Sequence, residues 1–518
     1  IMAAGGISVP TYTTYTTPDY MHILENSGAR IGIVSTRALA QKFLRAAHAL
    51  ESMTDVITVD DPRLEQSLNV NVHRFEKVLA AGNPDIEACR ARFKNVSRDD
   101  IACLIYTSGT GGAPKGVMIH HGAILHNAEA CSHVIEPLGL KNNSFLSFLP
   151  LSHAYEHTAG QFFPLSIGAE IWYAEGLEKL ATNMAEAQPT VMVVVPRLFE
   201  MLRTRLLRTM EKESALKRRL FNAALTLGTK RLQEGEAGLT FMERLQDWFL
   251  TRTVRKNVKV KFGGRLKALV SGGAPLAPDV GYFFAALGLP LLQGYGQTES
   301  GPVASVNPPH KPKMHTVGVP LANTDVRIAG DGEILIRGEL VMKGYWRDPK
   351  ATANTVIDGW LHTGDVGEID EEGYLIITDR KKDIIVNDKG DNVSPQRIEG
   401  MLSLEEEIAQ AMVYGDRRPY LVGLLVPDSE WLQAWCKKNG KPRDLAALKS
   451  DPDLHKALDA AVTRVNKRLS NLEKVRKFTL ATEAFSIENE QMTPTLKMRR
   501  HVICKAYEAD LLHMYNKG

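Results

Sequence analysis

Apolar residues along the chain fall into short unbroken runs separated by segments of helical period. Ile31-Gly-Ile-Val34, Val56–Val59, Ile101-Ala-Cys-Leu-Ile105, Phe145–Leu149 and Val191–Val195 have the length and continuity of strands buried on both faces. Between them lie helix patterns. Pro18–Ser27 has proline at its start and Gly28 just past its end, and His120–Ile135 reads as a helix. Strand and helix signals that alternate in this way predict a parallel sheet covered by helices. Ala268–Leu276 and Pro290–Glu299 each read as a strand running into a Gly-rich turn. From Asp325 the texture changes to short strands and turns, with one hairpin around Gly330-Asp-Gly332 and another over Gly367–Ile377. Asp379-Arg-Lys-Lys-Asp383 then breaks the apolar texture and reads as a linker.

Arg203–Lys267 carries 17 Lys/Arg against 6 Asp/Glu, with apolar residues such as Leu216, Leu220, Ala223, Ala224 and Leu227 at helical spacing. Solvated helices packed on a core fit that pattern, and so does a basic amphipathic face resting on anionic lipid. Elsewhere the composition restrains rather than points. The 518 residues predict roughly two to four domains. A net charge of +3 argues for no particular partner, and the basic excess lacks a nucleic-acid reader motif. The five cysteines never fall in a Cys-x-x-Cys pattern, so neither a disulfide framework nor a zinc site follows, and a reducing cytoplasm fits. Val280–Leu292, the longest near-unbroken apolar stretch, is too short to span a bilayer.

The chemistry centres on Tyr106-Thr-Ser-Gly-Thr-Gly-Gly-Ala-Pro-Lys-Gly116. Gly109, Gly111 and Gly112 let the backbone curl so that successive N–H groups point inward and cradle phosphate oxygens. Thr107, Ser108 and Thr110 add hydroxyls, and Lys115 adds a cation. A plain surface turn is the competing reading. No Gly-Lys-Ser/Thr closes the loop, so it is not the common NTPase P-loop. His153-x-x-Glu156-His157 has the spacing of an inverted zinc-protease motif. Backbone glycines Gly272, Gly273 and Gly296 beside Ala274 and a flat Tyr295 suit a purine, and Glu299 is a hard oxygen ligand for Mg²⁺. Asp365 follows a glycine, as in an Asx turn, and could equally accept from ribose hydroxyls. Lys497 sits in a basic loop where a lysine is ordinarily just solvated.

Together these stretches resemble, in order, the motifs of the adenylate-forming superfamily, which includes acyl-CoA synthetases, luciferases and peptide-synthetase adenylation domains. The family usually has a second Thr or Ser where Gly111 stands, which removes one hydroxyl and leaves the cradle. Leu149-Pro-Leu-Ser-His153 matches the family segment whose histidine lines the acyl and thiol-access region, in place of the zinc reading. The resemblance implies that Gly272, Gly273, Ala274 and Tyr295 hold adenine, with Thr298 and Glu299 near metal and phosphates. It further implies that Asp365 takes the ribose, Arg380 contacts ribose or phosphate, Lys382 is a pivot and Lys497 is the catalytic lysine. Many members have Gly before that lysine; Leu496 stands here, in the Thr-Pro-Thr-Leu-Lys form of long-chain synthetases.

The implied fold is a large layered α/β domain with a β-rich subdomain over 1–381 and a small mobile α+β domain over 382–518. The family layout also leads one to expect several tens of residues ahead of Ile1. A helical insertion at 203–267 resembles that of long-chain fatty acyl-CoA synthetases, which would take the acid from the inner face of a membrane. The implied reaction uses ATP, Mg²⁺ and CoA to activate a fatty acid. Rivals are an acyl-AMP ligase or adenylation domain serving a carrier protein, a luciferase-like oxygenase, and an inactive nucleotide-binding fragment.

Overall fold

The computed structural model describes residues 1–63, 68–83, 85–107, 113–139, 141–389, 391–493 and 497–516. Its centre is a seven-stranded sheet in the order Val319–Pro320, Ser305–Val306, Leu291–Tyr295, Ala268–Ser271, Val191–Val194, Ser144–Ser147, Glu170–Tyr173. The last five of these strands are parallel to their neighbours, and the first two are antiparallel additions. Parallel neighbours need long crossovers, and helices supply them. Between Val191–Val194 and Ala268–Ser271 the chain runs through Pro196–Glu211, Ala215–Glu234, Phe241–Leu250 and Lys256–Lys261, so the predicted helical insertion is one enlarged crossover.

The continuous apolar runs are explained by burial of both sheet faces. Leu146, Met192, Val194, Leu269 and Leu291 point to one side, against Phe199, Phe221, Val280 and Phe284. Their chain neighbours Phe145, Val191 and Val270 point to the other, against Ile135 of the helix His121–Ile135 and against Phe163. Period-two alternation with both faces apolar is what makes these runs unbroken.

A parallel three-stranded sheet, Ile31–Val34, Asp55–Thr58 and Asn71–Arg74, lies near the start of the chain. It is preceded by the helix Thr17–Ser27, whose ends follow the sequence signals. Thr16 and Asp19 form a capping box at its start, and Gly28 closes it in the left-handed region. Ile101–Thr107 and Lys115–His120 pair antiparallel, so the phosphate-loop stretch is entered and left on two paired strands, and its middle, 108–112, lies outside the described residues. The predicted hairpin strands appear as Asp325–Ile328 with Glu333–Arg337 and as Trp360–Ile369 with Leu375–Arg380.

The stretch 379–383 is shorter as a linker than its charge suggests. Asp379 and Arg380 are the last residues of the strand Leu375–Arg380, paired with Val366 and Asp365. After the turn comes a small α+β unit. Its sheet is Ile408–Tyr414, Leu421–Pro427 and Val475–Leu480, and Pro395–Leu402 and Pro452–Asn466 are among its helices. It has an apolar core of its own, including Ile398, Leu425, Leu458 and Val462. Among the described residues no helix is long and apolar enough to cross a membrane.

Candidate active site

Strand ends set the site. Ala268–Ser271 and Leu291–Tyr295 deliver their Gly-rich turns at the carboxyl ends of the parallel strands, where open α/β sheets hold their ligands. Gly272 N–H donates to the Val194 carbonyl at 3.1 Å. Gly273 takes φ +82°, a left-handed conformation that favours glycine. At Gly296 a Cβ would lie 1.9 Å from the Pro302 carbonyl oxygen, so only a bare backbone fits.

Tyr295, Asp365 and Arg380 form a connected group. The Tyr295 hydroxyl donates to Asp365 Oδ2 at 2.7 Å, and Arg380 Nε donates to Asp365 Oδ1 at 2.9 Å. Asp365 is buried inside the strand Trp360–Ile369, not at an exposed turn. Burial, then the Asp365 charge, pushes the Tyr295 hydroxyl well above its usual range. Burial also works against the Arg380 charge, and Asp365, with Asp383 and Tyr295, outweighs it, so the guanidinium is held above its usual range.

A second group surrounds Glu299. It sits in the single turn Thr298–Ser300, and its Oε1 accepts the Tyr345 hydroxyl at 2.8 Å. The Lys115 amine lies 4.9 Å from the centre of the Tyr345 ring and 4.0 Å from Asp348. Tyr345 was not legible as a site residue: it follows Lys343-Gly344 in a segment with no helical or strand period, and only the tertiary fold brings it to Glu299.

Lys497 comes to these groups from the small unit. Its backbone N–H donates to Thr493 Oγ1 at 3.0 Å, and its carbonyl accepts from Thr493 N–H at 2.8 Å. Burial and then Arg380 lower the amine from 10.5 to about 8, while Asp365 and Glu299 pull the other way. Three residues on, Arg500 donates to both oxygens of the buried Glu399, at 2.7 and 2.8 Å, and so ties the start of the helix Arg500–Ala506 to the helix Pro395–Leu402. That bidentate anchor was also missed in the sequence, since its partners are 101 residues apart.

His153 faces the same space. Burial, then the Lys497 charge, lowers it to about 3, so its ring is neutral at physiological pH. Its motif partners diverge from it. Glu156 is buried within bonding range of Ser147, and burial raises it to about 8; the His157 ring packs edge-on against Phe162 at 4.9 Å. Among the described residues no group of three or more His, Cys, Asp or Glu is placed to hold a metal ion.

One cleft of about 2310 Å³ unites these groups. Thr107, Lys115, His153, Gly272, Gly273, Ala274, Tyr295, Gly296, Thr298, Glu299, Asp365, Arg380, Lys382 and Lys497 all line it. Ser108, Gly109, Thr110 and Gly111 lie outside the described residues. Apolar residues of the helix His121–Ile135 and of the sheet, among them Cys131, Ile135, Phe145, Val193 and Val270, also line the cleft, with Phe163 beside them. Lys382 sits between two anchored neighbours. Lys381 donates to Asp331 and Glu333 at 2.6 and 2.8 Å, and Asp383 accepts from Gln396 at 3.2 Å.

Residues 1–346 match the AMP-binding enzyme family, and residues 382–518 match the AMP-binding enzyme C-terminal domain. The chain is 32% identical to a long-chain-fatty-acid–CoA ligase of Mycobacterium bovis, covering 100% of this chain and 85% of that protein. It is 30% identical to the peroxisomal long chain acyl-CoA synthetase 7 of Arabidopsis thaliana, over 98% of this chain and 74% of that protein. The fold also matches the adenylation domain of a Mycobacterium chelonae carboxylate reductase, with TM-score 0.73 at 22% identity, over 99% of this chain and 77% of that one. A cleft at the carboxyl ends of the sheet strands, lined by a lysine from a second unit, and a family match over both parts lead to one conclusion: the chain belongs to the AMP-binding enzyme family.

Proposed function

We propose that the chain is a long-chain fatty acid–CoA ligase that uses ATP and Mg²⁺. The observation that carries this reading is the cleft itself. A lysine, a carboxylate–arginine–tyrosine group and a glutamate with one oxygen free of hydrogen bonds among the described residues line it together with apolar side chains of the helix His121–Ile135 and the sheet. A carboxylate is a poor electrophile because its leaving group would be oxide. Its oxygen therefore attacks the α-phosphorus of ATP, the bond to the β-phosphate breaks, and pyrophosphate leaves. The CoA sulfur then attacks the acyl carbonyl, AMP departs with the bonding pair, and the thiol proton goes to solvent.

The first step concentrates anionic oxygens, so catalysis needs positive charge in place more than it needs a base. Lys497 bridges the attacking carboxylate and the α-phosphate. Asp365 accepts from ribose hydroxyls, Arg380 donates to ribose or phosphate, and Gly272, Gly273, Ala274, Tyr295 and Gly296 form the adenine wall. Thr107 and Lys115 flank the leaving phosphates, and Thr298 stands beside them. Glu299 fits Mg²⁺: Tyr345 occupies only Oε1, and Oε2 has no hydrogen bond among the described residues. Bound there, the ion would neutralise phosphate charge. Neutral His153 lines the path of the thiol without adding a competing cation.

The large domain spans 1–381 and the small one 382–518, with rotation at Lys382 withdrawing Lys497 before the thiol arrives. A long-chain acid is held by a lipid surface, which makes the basic region 203–267 the place for peripheral membrane contact. The test is AMP and acyl-CoA formation with ATP, Mg²⁺ and CoA across acids from acetate to oleate, with Lys497→Ala beside the parent. Turnover should rise with chain length, and the variant should lose adenylation while still making thioester from supplied acyl-adenylate. AMP without thioester, relieved by a phosphopantetheinyl protein, would instead identify a carrier-protein acceptor. Adenylate formed by Lys497→Ala at the parental rate would remove the lysine from the mechanism.

A further inference from the structure

The crossover helices carry an outward face that the fold leaves bare. Phe241–Leu250, the π-turn Thr251–Arg255 and Lys256–Lys261 follow one another as one helical rod. Asp247, Leu250, Arg255 and Val258 are its buried side. The other side is apolar and exposed: Phe241 at 80%, Met242 at 70%, Leu245 at 54%, Trp248 at 53% and Phe249 at 48%. Positions i, i+1, i+4, i+7 and i+8 make a continuous helical stripe, here turned to solvent instead of the core. Soluble surfaces rarely expose contiguous large apolar side chains without a partner.

Charge along the rod identifies the partner. Its two acids are neutralised inside the protein, Glu243 by Lys230 and Asp247 by Arg231 and Arg255. Arg252, Lys256 and Lys259 have no carboxylate in ion-pair range among the described residues, and the Arg252 guanidinium lies over the Trp248 ring at 4.0 Å. We propose that this face rests on an anionic lipid bilayer, with Phe241, Trp248 and Phe249 in the acyl boundary and Arg252 and Lys256 against headgroup phosphates. Tryptophan and arginine suit that depth, each with an apolar body and a polar tip. A second copy of the chain fits poorly, because a two-fold contact would set the same cations against each other. This inference rests on the peripheral contact proposed above for 203–267 and gives it a surface; no residue of the rod lines the cleft, so flotation and turnover test the surface and the chemistry separately.

The experiment is flotation of the full chain with phosphatidylcholine vesicles, with and without phosphatidylglycerol. The parent should float only with phosphatidylglycerol present. Trp248 emission should then shift to the blue, a shift lost in Trp248→Phe although that variant still floats. Trp248→Ser/Phe249→Ser should lose at least about tenfold in partitioning, and Arg252→Glu/Lys256→Glu roughly thirtyfold or more. ATP binding, unchanged in all variants, reports that they are folded. A parent that stays in solution with anionic vesicles overturns the proposal, as does a Trp248→Ser/Phe249→Ser variant that floats like the parent. Self-association lost in that variant, without flotation of the parent, would assign the face to a second copy instead.

Discussion

At the scale of single residues, the site is governed by how few charges share it. Lys497 reaches a space already holding the Arg380 cation, and burial adds to the cost of a second positive charge, so its amine titrates near 8. The proton is therefore held below about pH 8 and lost above it. If the ammonium form bridges carboxylate and phosphate, adenylation kcat/KM for ATP should be flat below that value. Above it, the rate should fall with the slope of a single ionisation, measured as pyrophosphate release across pH. Lys497→Arg keeps its charge and should lose the alkaline limb, whatever its rate. A parental profile without an alkaline limb would show that the amine does not act as a cation. The sequence pointed to Glu299 as a hard oxygen ligand beside a Gly-rich turn, and to Lys497 only through the resemblance, since a lysine in a basic loop is ordinarily solvated. Tyr345 and Arg500 were not legible there, because their importance lies in partners, Glu299 and Glu399, reached only by folding.

Among the elements, the crossover through 203–267 shows how a basic insertion is fastened. Arg255, inside the π-turn Thr251–Arg255, is buried and spends its donors inside the protein. They go to the carbonyls of Ala286, Asp247 and Ala224, to Thr251 Oγ1 and to Asp247 Oδ1. One side chain thus ties the rod to the helices Ala215–Glu234 and Pro278–Ala286. Arg255→Ala leaves buried carbonyls unpaired and should destabilise the large domain by about 3 kcal/mol, read as a lowered Tm. Arg255→Lys should recover only part of it, since an ammonium lacks the planar fork. Equal Tm values for parent and Arg255→Ala would refute this fastening. The helicity of the insertion was legible from its period. Its apolar face was only half legible: Ala224 and Leu227 are buried as expected, yet Leu216 is exposed, because the first turn of Ala215–Glu234 projects beyond the core.

For the whole molecule, the two units meet through ion pairs as well as through the cleft. Arg208 of the helix Pro196–Glu211 pairs with Asp428 and Glu430 of the small unit, and Arg468 pairs with Asp279 at 2.8 Å. These contacts belong to the arrangement in which Lys497 faces Glu299 and Asp365. Arg208→Ala should weaken that arrangement and slow adenylation by about threefold, while thioester formation from supplied acyl-adenylate is unchanged or faster. High salt should erase the difference between variant and parent. Equal slowing of both half-reactions would mean that the pairs hold the fold rather than one domain position. By itself, the sequence determined what is local: which runs are strands or helices, the order of the motifs, the charge of the insertion and the chemistry each loop can offer. Only the tertiary structure decided which of those groups share a cleft, which ones change their protonation there, and which face of the 241–250 helix is left uncovered. Period and propensity act over a few residues, whereas desolvation and ion pairing depend on neighbours a hundred or more positions away.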